Sequence, residues 1–166
     1  MLTAHELFGF MSSGLATQIL EQAFASDKDL YRLTVKGVAE AKKVRPIFLE
    51  RKPKAERHAD MAAVLAKPYL DVVAGNLIRG WLLKKHKDML IDFLTALGVP
   101  HKDGTVDDLP VEMEDIKLKP AIDQLLAKYP AEEVAVYLNA FFTMNDVTWE
   151  NLKTILEVDP RLQFGS

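Results

Sequence analysis

The 166-residue chain predicts an all-α protein, a multi-helix bundle of about seven or eight helices, on three observations. Apolar residues recur at three- and four-residue spacing along most of its length, the period of one face of an α-helix. Prolines and capping residues stand where such segments would begin, and glycine or proline where they would end. No run of alternating, β-branched residues is present; Val44–Leu49 comes nearest, and Pro46 interrupts it.

In chain order, Thr3 and Glu6 have capping-box spacing and start a short helix to about Phe10, with Ser12-Ser13-Gly14 as its stop. Ala16, Ile19, Leu20, Ala23 and Phe24 make the next apolar face, and Ser26 or Asp27 can cap a third helix lined by Leu30, Leu33, Gly37, Val38 and Ala41. Gly37 and Ala41 leave room for another backbone, and Pro46 is expected to end that helix. Pro53 suits the first turn of a helix through Ala66.

The stretch Pro68–Gly98 is the longest apolar run, and the fold is expected to assemble around it. Leu70, Val73, Ala74, Leu77, Ile78, Trp81 and Leu82 form one stripe; Met89, Leu90, Phe93, Leu94 and Leu97 form a second, which Gly98 closes. Between them Lys85 falls where the stripe needs an apolar residue, so a break or kink is expected near 84–88. Residues 99–119 then show little periodicity, with helical patterning returning at Pro120. Helices follow over Ile122–Tyr129, from Pro130 with Val134, Tyr137, Leu138, Phe141 and Phe142 inward, and from about Thr148 to Asp159.

The quartets Ile91-Asp92-Phe93-Leu94 and Ile122-Asp123-Gln124-Leu125 lie 31 residues apart, a spacing that suits stacked helix pairs of the HEAT or TPR kind. Two unrelated amphipathic helices produce the same likeness. One domain spanning 1–166 is the default for this length. Apolar residues at 49% and charged residues at 27% place the chain among globular proteins rather than disordered ones.

The absence of cysteine excludes disulfides, thiolate metal sites and a cysteine nucleophile. The first residues lack the basic and continuously apolar regions of a secretory signal, and Asp71, Asn76, Arg79 and the lysines interrupt the central stretch. A soluble, cytoplasmic protein with no membrane partner is therefore expected. The net charge of −3 conceals an asymmetry: residues 1–102 carry 16 basic against 11 acidic side chains, and residues 103–166 carry 5 against 13. Opposite halves can attract within one fold or between copies.

Catalytic and metal motifs are missing. His5, His58, His86 and His101 show no ligand spacing, and neither a phosphate-cradling glycine loop nor a nucleophile elbow is present. No cofactor or metal is expected. His58 reads as a packed structural histidine, and His101-Lys102-Asp103-Gly104 as a turn.

Two polar features stand out. Asn76 and Arg79 share a face of the most apolar helix, with Asp71 about a turn before; the face reads as the wet side of the helix, and if it is instead covered, Arg79 needs Asp71 or a ligand anion beside it. Lys42, Lys43, Arg45, Arg51, Lys52, Lys54 and Arg57 form a basic segment, with Ile47, Phe48 and Leu49 among them. Glu50 and Glu56 dilute that segment and the whole chain is acidic, so the segment reads as a solvated connection between helices rather than a nucleic-acid site.

The expected function is a non-catalytic protein-interaction or scaffold module, with a protein partner or self-association. The alternatives are an anionic small-molecule binder or enzyme using Asp71, Asn76 and Arg79, and weak nucleic-acid association through residues 42–57.

Overall fold

The computed structural model describes residues 1–165. The fold is all-helical, and among these residues there are ten α-helices rather than seven or eight. Two compact units divide the chain, residues 2–81 and 82–164.

In the first unit, α1 (Ala4–Phe10) starts at the Thr3–Glu6 capping box, and α2 (Ser13–Ser26) is capped by the Ser12 side chain, which accepts from Leu15 N–H. Ser12 thus begins a helix as well as following one. Asp27 caps α3 (Lys28–Lys42), whose end is set by Lys43 in the left-handed conformation at φ 57°. Val44 N–H then bonds back to the Ala39 carbonyl, which closes the helix three residues before Pro46. Pro46 therefore does not stop α3; it opens α4 (Pro46–Glu50), a helix too short to show a periodic stripe.

Helix α5 (Lys54–Leu65) follows Pro53 as its cap. Pro68 opens a 3-10 turn (Pro68–Leu70) that leads into α6 (Asp71–Lys85). Helices α1, α2 and α3 all pack on α5, and α4 packs on α3. The core gathers Leu7, Ile19, Leu20, Val38, Met61 and Leu65, all fully buried. Gly37 admits a side chain rather than a backbone: a Cβ there would lie 3.0 Å from Leu70 Cδ2.

In the second unit the anticipated break falls at His86, which caps α7 (Lys87–Leu97). Helix α8 (Asp115–Lys128) begins five residues before Pro120, so helicity does not wait for that proline, which stands inside the helix. Pro120 has no N–H to give to the carbonyl four residues back, the bond a helix interior normally makes. Helices α9 (Ala131–Met144) and α10 (Glu150–Val158) complete the unit before a 3-10 turn at Pro160–Leu162. Phe93 meets Tyr137 and Phe141 edge to face, and Phe141 meets Trp149 at a tilt, with ring centroids 5.4–5.6 Å apart.

The HEAT or TPR pairing finds no support. The two matching quartets fall on α7 and α8, and the interval between them holds one helix and one loop, not a helix pair. Among the described residues, no single helix is long and apolar enough to cross a membrane.

Candidate functional site

The basic segment folds into an outward-facing edge of the first unit. Every residue from 40 to 48 is exposed, and Leu49 alone anchors α4, at 1% exposure. Burying one leucine contributes about 2 kcal/mol, enough to hold a single turn against α3. The turn of α4 that buries Leu49 leaves Ile47 and Phe48 outside, at 42% and 56% exposure, with Val44 beside them in sequence at 39%. Apolar side chains this exposed on an ordered helix lose hydrophobic stabilisation that inward residues would supply.

The seven cations of this segment divide into two sets. Lys42 and Lys52 both reach Asp60, Lys54 faces Glu21 at 3.8 Å, and Arg57 donates to Tyr31 Oη at 2.7 Å and to the Glu50 carbonyl at 3.2 Å. The hydrogen bond from Lys52 holds the Asp60 carboxyl below the usual carboxylate range, against a smaller opposing effect of burial. Among the described residues, no ion pair engages Lys43, Arg45 or Arg51. These three remain in water beside Val44, Ile47 and Phe48.

Beneath the edge lies a polar node. Tyr31 Oη accepts from Arg57 Nε and shares a second hydrogen bond, 2.8 Å long, with His58 Nε2. The other ring nitrogen, Nδ1, is a buried atom with no hydrogen-bond partner. Such a group costs about 1–3 kcal/mol. Burial first, then the Arg57 charge, pushes the His58 pKa down to about 4. Phe24 packs edge-on against Tyr31 at 5.1 Å, and Lys54 and Arg57 lie over its ring at 5.2 and 5.6 Å. His58 is thus a hydrogen-bonded core residue, and its role here is to hold Tyr31 and, through it, Arg57.

The trio from the central helix is not gathered into one site. Asn76 and Arg79 are exposed, and an exposed arginine needs no anionic partner. Asp71 turns to α1 instead: the His5 backbone N–H donates to its Oδ1 at 3.0 Å, and His5 Nδ1 lies 2.6 Å from the same oxygen. Burial raises the Asp71 pKa, but the two hydrogen bonds from His5 outweigh it and the net shift is downward.

In the second unit a cleft of about 230 Å³ is lined by Lys119, Ile122, Asp123, Ile155, Asp159 and Arg161. Arg161 already bonds both carboxylates, Asp159 at 2.8 Å and Asp123 at 2.9 Å. The cleft is smaller than the roughly 300–1,000 Å³ that ligand pockets occupy, and its strongest cation is satisfied. Among the described residues, no three His, Asp or Glu side chains are grouped where they could hold a metal ion.

The segment 99–114 is held partly by its own bonds and partly by bonds from α7 and α10. His101 Nδ1 accepts from Gly104 N–H at 3.1 Å and Nε2 lies 3.0 Å from Thr95 Oγ1, so the imidazole holds the turn it belongs to. Further on, Thr148 Oγ1 donates to the Val111 carbonyl at 2.9 Å, Trp149 Nε1 to Pro110 at 2.7 Å, and Asn151 Nδ2 to Met113 at 2.6 Å. The start of α10 thereby fixes the loop. Nothing local in residues 99–114 signals this, because the donors lie nearly forty positions away.

No protein-family model, curated protein or solved structure matches the chain. The fold and the surface just described define an all-α protein with an exposed edge that is both basic and apolar.

Proposed function

We propose that this chain is a non-catalytic protein-interaction module, and that residues 43–51 of the α3–α4 edge bind an acidic, partly apolar protein surface. The observation that carries the reading is the outward placement of Ile47 and Phe48 on a helix that buries only Leu49, beside the unpaired Lys43, Arg45 and Arg51. Aromatic and arginine side chains are the residue types that supply most binding energy at protein interfaces. Lys42, Lys52, Lys54 and Arg57 are engaged within the unit. Three free cations are a small set for binding a phosphate backbone, so a protein partner is favoured over nucleic acid.

The anionic-ligand alternative draws on Asp71, Asn76 and Arg79, whose separate surroundings lend it less support. The test is native mass spectrometry and affinity capture with the wild-type chain and an Ile47→Ser, Phe48→Ser variant. Both positions are exposed, so the variant is expected to keep its stability within about 0.5 kcal/mol per site. The wild type is expected to associate and the variant to lose that association. A wild-type chain that stays monomeric and enriches no partner overturns the reading.

A further inference from the structure

The second unit carries a surface of the opposite kind. Val111 and Ile116 are 76% and 78% exposed, among the most exposed apolar side chains in the chain. Around them residues 107–116 hold Asp107, Asp108, Glu112, Glu114 and Asp115, with no cation in that span. Asp115 pairs with Lys119 at 3.7 Å, and Lys117 follows Ile116 in sequence. Among the described residues, no ion pair engages Asp107, Asp108, Glu112 or Glu114. The bonds from Thr148, Trp149 and Asn151 to the carbonyls of Val111, Pro110 and Met113 hold this ridge in one shape. A surface ordered before binding loses less conformational entropy when it docks.

We propose that the acidic ridge 107–116 of one copy docks on the basic edge 43–51 of a second copy, so that the chain associates head to tail. This rests on the interaction-module reading above and names the partner. Each face has what the other lacks. The edge sets Val44, Ile47 and Phe48 among three unpaired cations with Glu50 as the sole carboxylate of its span; the ridge sets Val111 and Ile116 among four unpaired carboxylates. Complementary charge aligns the two faces and raises the encounter rate, and the apolar side chains supply area removed from water. Every copy offers one of each face. The contact is heterologous, and repetition of it gives rings or open chains rather than a closed two-fold dimer.

Sedimentation velocity of the full chain over a concentration series, at low and at high salt, tests this. At low salt the wild type is expected to grow beyond a dimer as concentration rises, and high salt to reverse the growth by screening. Phe48→Ser on the edge, and Val111→Ser with Ile116→Ser on the ridge, are each expected to weaken association at least about tenfold. Circular dichroism of both variants, expected to match the wild type, is the control for folding. Mixed in equal amounts, they are expected to form a one-to-one species that grows no further, because one intact edge and one intact ridge remain between them.

A wild type that is monomeric throughout the low-salt series overturns the proposal, as does a mixture that stays monomeric while the wild type associates. If the wild type stays monomeric but captures a foreign protein that the Phe48→Ser variant releases, self-association fails and the module reading survives. If it does neither, both fall.

Discussion

His58 is the residue whose burial has the most direct thermodynamic consequence. Its pKa of about 4 lies below the ordinary 6.5, so between those values the unfolded chain binds a proton that the folded chain refuses. Its contribution to stability is complete above pH 6.5, falls as pH drops toward 4, and is spent below that, a loss of order 3 kcal/mol at most. His58→Phe removes the titrating group, and the difference in thermal midpoint between pH 7 and pH 5 is expected to shrink in the variant. Some slope remains, because burial also lowers the His86 pKa, against the pull of Glu133. An unchanged midpoint difference in His58→Phe would rule the histidine out as its source.

At the scale of elements, the link between α10 and the loop before α8 is the contact most worth breaking. Asn151 Nδ2 bonds both the Met113 carbonyl and Asp115 Oδ1, the latter at 2.8 Å, next to the N-terminus of α8. Asn151→Ala is expected to cost about 1–2 kcal/mol in urea unfolding, the size of one or two lost hydrogen bonds. It is also expected to raise proteolysis within 107–114, and equal cleavage of variant and wild type would show that the loop is held by other means.

Helix α4 shows how little of an element can be written in its own residues. Pro46 looks like a stop because it follows a helical stripe, yet α3 has already ended at Lys43, a residue with no intrinsic preference for the left-handed region. A glycine there would have marked the end, as Gly98 marks the end of α7.

Across the whole molecule, acid is expected to act in a second range below that of the histidines. Asp60, Asp92 and Asp159 are each held below the ordinary carboxylate range by a hydrogen bond from Lys52, Lys128 and Arg161 respectively, with burial opposing in each case. A carboxylate with a depressed folded pKa adds stability that is present above its unfolded value, near 4, and lost as pH falls through the folded one. Thermal midpoints followed from pH 7 to pH 2 are expected to fall through both ranges, and in His58→Phe mainly through the lower. A profile flat below pH 4 would mean that these pairs add nothing to folding.

The helical class and most helix boundaries follow from the sequence by itself, since caps, prolines and apolar spacing act over three or four residues. Thr3–Glu6, Asp27, Pro53 and Gly98 each do locally what their neighbours in sequence require. The break at His86 is of the same kind, a charged lysine placed where the stripe needed an apolar side chain. Tertiary structure alone decided which side chains are left over. Phe48 and Ile116 are apolar yet exposed, Arg79 meets solvent where the sequence left a covered face open, and Asp71 turns to His5, 66 positions away. Exposure and pairing depend on what the rest of the chain brings alongside, and no local pattern contains that.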